Sequence, residues 1–220
     1  MTIILERHHL LITPLRQPAP ALFLDRDGVV IEDCHHLSDP AQVRLCRGAR
    51  QLIASADRQG WPVVLITNQS GIARGLFQWR HFEMVNDRMQ QLLASDAPLA
   101  AIYANGHGPD APANSWRKPS PQMLLQAATA LNLDLQRSLL IGDRLSDLQA
   151  GAAAGVAMLF HVLSGHGHNA RASVLQWQKQ RLESQDSAEA SAQRMSALAL
   201  LETLEDFPFQ LLKQCKPTPR

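Results

Sequence analysis

The sequence predicts an α/β fold, a three-layer sandwich with a mainly parallel central sheet and helices on both faces. Three observations lead there. Five short apolar runs, Ala21–Leu24, Pro62–Ile66, Leu99–Tyr103, Ser138–Ile141 and Val156–Val162, recur with helical patterns between them. The residues that follow these runs are unusually polar, as expected where strands deliver side chains to one edge of a parallel sheet. A length of 220 residues suits one domain with a good core plus an appendage.

Along the chain, residues 1–20 read as an N-terminal arm. Arg7, His8, His9, Pro14 and Arg16 break it, so it offers neither a secretory apolar region nor a span of about 20 apolar residues. Residues 21–165 form the expected core. Its first run ends in Asp25-Arg26-Asp27-Gly28, its second in Thr67-Asn68-Gln69-Ser70-Gly71, and its fourth in Gly142-Asp143-Arg144-Leu145-Ser146-Asp147; Arg117-Lys118-Pro119 lies between the latter two. A helix is predicted after Gln78, with Phe82, Val85, Met89, Leu92 and Leu93 on one face. A second begins at Ser120-Pro121, read as N-cap and first helical residue, and continues through Leu124, Leu125 and Ala128. Residues 166–220 read as a helical extension. Within it, Gln178–Arg194 carries one leucine and no aromatic, which predicts a solvated helix or flexible insert, whereas Leu198–Leu212 is apolar enough to dock.

Composition narrows the function. A formal net charge of +1 without a Lys/Arg cluster argues against nucleic acid, whose backbone demands a basic face, so an anionic partner should be small. Nothing predicts a membrane partner, and a monomer is expected. Three cysteines, Cys34, Cys46 and Cys215, are odd in number and widely spaced, which fits reduced thiols in the cytoplasm.

Taken singly, the polar strand ends have plain readings: Asp25 and Asp27 as turn residues, Lys118 as a solvated lysine, Asp143 and Asp147 as a helix cap and a first-turn acid. Together they crowd like charges, which is costly unless a cation joins them. Mg²⁺ answers that need, since it takes carboxylate and phosphate oxygens. Asp25 is then both metal ligand and nucleophile toward phosphorus. Asp27 protonates the leaving alkoxide and later activates water. Thr67 and Lys118 hold the transferring phosphoryl oxygens. Asp143 completes the metal site, and Asp147 orients Lys118 or metal-bound water.

The pattern Asp25/Asp27, Thr67, Lys118 and Asp143/Asp147 resembles the haloacid-dehalogenase (HAD) superfamily of phosphotransferases. More narrowly, FLDRDGVV, TNQSGIARG (Thr67–Gly75), RKPSPQM (Arg117–Met123) and IGDRLSDLQAG (Ile141–Gly151) are similar to the heptose 1,7-bisphosphate 7-phosphatases and their histidinol-phosphatase relatives. The resemblance covers roughly residues 21–162. It implies a Rossmann-like HAD fold, Mg²⁺-dependent phosphomonoester hydrolysis through an aspartyl-phosphate, and the backbone carbonyl of Asp27 as a further metal ligand. It also implies substrate contacts at Asp33, Cys34, His35, His36, Asn68, Gln69, Ser70, Arg117 and Arg144, with Arg117 suited to a second anionic group. The segment from Gly28 to Trp61 leaves no room for a large cap domain. The resembled family carries a zinc loop before its Arg-Lys-Pro, but here only His107 stands among the four ligand positions, so Mg²⁺ is the expected cofactor and zinc is not expected. The implied substrate is a small phosphorylated sugar, a heptose bisphosphate first. Histidinol phosphate or another sugar phosphate is the alternative within the enzyme class, and a catalytically inactive binding module the alternative outside it.

Overall fold

A computed structural model describes residues 4–186 and 195–214. Its strands are β1 (Glu6–Leu10), β2 (Leu22–Leu24), β3 (Val63–Asn68), β4 (Ala101–Asn105), β5 (Leu139–Gly142), β6 (Met158–Val162) and β7 (Ala197–Leu201). They form one sheet in the order β1-β4-β3-β2-β5-β6-β7, with β1 antiparallel to β4 and the remaining pairs parallel. The helices are α1 (Ala49–Arg58), α2 (Trp79–Leu93), α3 (Gln122–Leu131), α4 (Leu145–Ala153), α5 (Gly167–Asp186) and α6 (Leu211–Gln214). All five apolar runs are strands, and the α/β class read from them holds.

Successive strand residues point to opposite faces, so a strand buried on both sides reads as a continuous apolar run. In β3, Val63 and Leu65 pack with Leu52 and Ile53 of α1 and Val85 and Met89 of α2, while Val64 and Ile66 pack with Met123 and Leu124 of α3 and Leu148 of α4. Each such side chain contributes about 1.5–3 kcal/mol when fully buried. The sheet is thereby fixed between two helical layers, and the carboxyl ends of β2, β3 and β5 are held side by side.

The observed α2 starts where expected, its first turn closed by Gln78 N–H donating to His81 Nδ1 at 3.1 Å. The start of α3 is corrected by one position: Gln122 is its first residue and Pro121 its cap. The Ser120 hydroxyl still accepts from Gln122 N at 3.4 Å, so its capping role survives the shift.

Both chain ends differ from the simplest expectation. The N-terminal arm contains β1, which covers the outer edge of β4 and stacks His8 on Tyr103 at 5.3 Å. The C-terminal extension, expected to be helical, also supplies β7, whose backbone pairs with the otherwise open edge of β6. It is anchored beyond that strand by Trp61 Nε1 donating to the Leu212 carbonyl at 3.0 Å. Of the polar stretch Gln178–Arg194, residues 178–186 continue α5; residues 187–194, like Cys215, lie outside the described residues.

Between β2 and α1 the chain makes a short flap with isolated bridges Asp27–Ile31 and Ile31–Leu45 and one 3₁₀ turn at Pro40–Gln42. No cap domain intervenes between this flap and the sheet edge.

Candidate active site

The carboxyl ends of β2, β3 and β5 open into a cavity of about 580 Å³. Order 3-2-5 places the strand that ends at Leu24 in the middle, where the chain changes direction along the sheet. The cavity is lined by Asp25, Asp27, Thr67, Lys118 and Asp147 on its floor, and by Asp33, His35, His36, Asn68, Gln69, Ser70, Arg117 and Arg144 around them. Of the expected substrate contacts, Cys34 alone does not line it; that side chain is exposed.

Asp25 is buried, and one of its oxygens, Oδ1, accepts from Lys118 Nζ at 2.8 Å. The same ammonium lies 2.7 Å from Asp147 Oδ1 and donates to the Ile66 carbonyl at 2.9 Å. Burial works to lower the Lys118 pKa, but the Asp147 and Asp25 charges outweigh it and hold the group firmly protonated. Asn68 fixes the lysine's backbone from both sides, Nδ2 donating to Lys118 O at 3.2 Å and Oδ1 accepting from Lys118 N at 3.1 Å. Its amide is thus engaged in placing Lys118.

The two carboxylates of the Asp-Arg-Asp turn are separated electrostatically as well as spatially. Arg26, buried and stacked 4.9 Å over Phe82, donates from Nε and Nη2 to Asp27, both at 3.0 Å, and from Nη1 to Asn86 Oδ1 at 3.0 Å. Gln69 Nε2 and Thr67 Oγ1 also donate to Asp27 Oδ2, at 2.8 and 3.3 Å. Burial pushes the Asp27 pKa up, yet the Arg26 guanidinium and these hydrogen bonds more than compensate, leaving it below the ordinary carboxylate value. Asp25 and Asp143 go the other way: burial first, then neighbouring carboxylates, hold both well above the usual range despite Lys118 at Asp25.

That strain identifies where a cation fits. Asp25, Asp143 and Asp147 bring carboxylate oxygens within 4.8 Å of one another, and Asp143 Oδ1 is buried without a hydrogen-bond partner. An all-oxygen, excess-negative donor set with an orphaned oxygen suits a hard divalent cation such as Mg²⁺. The Asp27 carboxylate is not in this group, being held by Arg26, Thr67 and Gln69; the ligand atom expected of this residue is its backbone carbonyl.

Several participants were not read from the sequence. Gly28, at φ +87°, passes so close to Asp143 that an added Cβ would sit 2.6 Å from Oδ2. His166 donates its backbone N–H to that same oxygen at 2.7 Å and lines the cavity, and Ser164 Oγ donates to the Gly28 carbonyl at 2.6 Å. The signal was available: Leu163–His166 follows β6 directly, and the rule applied to the other strand ends applies to this one.

Arg117 is held by its Nη1 donating to the His107 carbonyl at 3.0 Å. The loop 105–116 that carries His107 is pinned by Glu6 of β1, whose Oε1 accepts from Trp116 N at 2.7 Å, and by Trp116 packing 5.6 Å from Tyr103. Burial and the nearby Arg144 charge lower the Arg117 pKa, so the two guanidiniums repel each other across the cavity rim.

The chain matches the HAD-hydrolase-like family model over residues 115–182. It is 51% identical over 145 residues to a D-glycero-β-D-manno-heptose-1,7-bisphosphate 7-phosphatase of Mesorhizobium japonicum, covering 63% of this chain and 67% of that one. A second protein of that name, from Photorhabdus laumondii, is 35% identical over 165 residues, 72% of this chain and 88% of the relative. Among solved structures, a Mesorhizobium loti chain described as HAD-like has a TM-score of 0.78 at 34% identity, covering 100% of this chain and 99% of that one. The D,D-heptose 1,7-bisphosphate phosphatase of B. bronchiseptica, solved with magnesium and phosphate, has a TM-score of 0.70 at 32% identity, covering 89% of this chain and 99% of that one.

Proposed function

We infer the reaction from the premise that this chain belongs to the HAD-like heptose-bisphosphate phosphatase family and is a phosphoric monoester hydrolase. Its substrate is D-glycero-β-D-manno-heptose 1,7-bisphosphate, from which it removes the 7-phosphate. The observation that carries the reading is Asp25 on the cavity floor, with one oxygen held by Lys118 at 2.8 Å beside Thr67.

The free oxygen of Asp25 attacks phosphorus, the bond from phosphorus to the sugar oxygen breaks, and Asp27 gives that oxygen its proton. Water then attacks the aspartyl-phosphate, Asp27 takes the water proton, and the bond to Asp25 breaks to release inorganic phosphate. The Arg26 clamp holds Asp27 as the carboxylate in the resting site, which suits it as the base of the second half; the proton it gives in the first half is one taken up when the substrate binds. Lys118 and the Thr67 hydroxyl hold phosphoryl oxygens, and the Lys118 charge partly offsets the burial that favours the protonated form of Asp25. Arg117 and Arg144 take the second phosphate at the rim. Asp25, Asp143 and the Asp27 carbonyl hold Mg²⁺, which when bound neutralises charge on the transferring group. Loop 105–116 is held by packing and hydrogen bonds, with no zinc. The enzyme acts as a monomer in the cytoplasm, without nucleic acid; a reducing compartment keeps Cys34 and Cys46 as the free thiols they are.

Phosphate release from heptose 1,7-bisphosphate, followed by ³¹P NMR with and without Mg²⁺, tests this reading. Loss of the 7-phosphate resonance only with Mg²⁺ supports it. A higher kcat/KM for histidinol phosphate, or retention of the 7-phosphate while another position is cleaved, refutes the substrate.

A further inference from the structure

Beside the carboxylate site, the cavity is lined by a second group of ligating side chains with different chemistry. Asp33, His35 and His166 bring one carboxylate oxygen and two imidazole nitrogens within 4.8 Å of one another. They come from two separate segments, the flap after β2 and the turn after β6. Asp33 Oδ2 lies 2.8 Å from His166 Nε2, and Asp33 Oδ1 lies 3.7 Å from His35 Nδ1 while accepting from His35 N at 2.9 Å. The two imidazole rings face each other at 5.8 Å.

We propose that Asp33, His35 and His166 form a second cation site, for a late first-row divalent ion such as Zn²⁺ or Co²⁺ and not for Mg²⁺. Two imidazoles and one carboxylate are a donor set for such ions, whereas Mg²⁺ prefers oxygen and keeps its water. Three protein ligands leave coordination positions open. All three side chains line the cavity, so those positions face the substrate space.

The support is uneven in a way that suits capture of an ion from solvent. Asp33 is 13% exposed and His166 29%, while His35 is 82% exposed and free to close over an ion. His166 is further fixed by its backbone bond to Asp143 Oδ2 at 2.7 Å. The neighbouring cation, Arg144 Nη2, stands 3.7 Å from Asp33 Oδ2 on a side chain that is 50% exposed, and can turn from Asp33 toward the second phosphate when an ion takes its place. In the absence of an ion, the 2.8 Å approach of His166 Nε2 to Asp33 Oδ2 already brings the same two donors together. The site is distinct from loop 105–116, where His107 faces Glu6 at 3.6 Å and joins no group of three metal-ligating side chains among the described residues. Resting on the phosphatase reading, the ion would accept an oxygen of the second phosphate.

The test uses untagged full-length protein saturated with Mg²⁺, which occupies the carboxylate site, and titrates Co²⁺ while recording visible d–d absorption and paramagnetically shifted imidazole NMR signals. One Co²⁺ per chain with two shifted histidines is expected. His35→Ala and His166→Ala should each weaken it on the order of 100-fold, the upper end of what even an outer-shell partner costs. Asp25→Asn and Cys34→Ser should leave it in place. Should His166→Ala fail to fold, His35→Ala decides alone, since an exposed ring carries no packing. No Co²⁺ bound beyond the Mg²⁺ site, binding indifferent to both histidines, or binding lost with Cys34→Ser would overturn the site. Binding is read without turnover, so it is judged apart from the reaction. A change in the Co²⁺ spectrum on adding inorganic phosphate supports the open position; an unchanged spectrum removes the substrate-facing half of the proposal.

Discussion

Asp25 and Asp27 differ by what faces them: Lys118 and a cation site for the first, a guanidinium for the second. Asp25→Asn should abolish turnover while thermal melting shows an intact fold, because it deletes the proposed nucleophile and changes almost no volume. Residual activity within tenfold of the parent would end the assignment. Asp27→Asn should cost about 10²- to 10⁴-fold, the usual contribution of a positioned acid. That loss should be steeper for an alkyl than for an aryl phosphate, since a phenoxide needs no proton to leave; kcat/KM on the pair checks it. Gly28→Ala should lose about 1–2 kcal/mol from the left-handed backbone alone and weaken Mg²⁺ binding as well, because the new methyl meets Asp143 Oδ2; calorimetry reads both. At this scale the sequence was legible where chemistry demands a residue type, as at Asp25, Thr67 and Lys118. It was silent on orientation, as when Arg26 clamps the Asp27 carboxylate, because that depends on Phe82 and Asn86 some sixty residues away.

Arg117 shows how an element conveys position. Its guanidinium hangs from the His107 carbonyl, and the loop around His107 hangs from Glu6 on β1 and from Trp116 against Tyr103. Arg117→Ala should cost about 1.5–3 kcal/mol in binding, the range for a hydrogen bond to a charged group, and more for the bisphosphate than for the matching monophosphate. Equal kcat/KM for the pair, with a ratio unmoved by the substitution, would remove Arg117 from the second phosphate. Glu6→Ala should act through the same chain of contacts, raising KM for the bisphosphate with kcat little changed. Elements were legible where their residues are buried on two faces, as in β3 and β5. Neither edge strand was, because Glu6-Arg7-His8-His9-Leu10 alternates too little to announce a strand and Ala197–Leu201 is read equally well as a docking helix. What makes each a strand is the unpaired edge beside it.

For the molecule as a whole, the buried carboxylates make stability depend on pH and metal together. Without a cation, Asp25 and Asp143 hold protons in the folded chain that they release when unfolded, so the native state binds more protons over the range above the ordinary value of 3.8. Stability of the metal-free protein should therefore fall as pH rises from there. Asp27, depressed, contributes in the opposite sense, with stability present above 3.8 and lost as pH falls below it. Mg²⁺ relieves the first effect by replacing those protons, so the rise in melting temperature on adding it should be larger at pH 8 than at pH 5. Equal shifts at the two pH values would count against Asp25 and Asp143 as ligands. β1 carries a separate consequence for anyone who trims the chain to the segment that bears the motifs. Removing residues 1–10 would bare the backbone of β4, a five-residue strand of Ala, Ile, Tyr, Ala and Asn with no charge to discourage pairing. The shortened protein should self-associate through that edge, its apparent mass rising with concentration in light scattering, and a loss of solubility there would be misread as failure to fold.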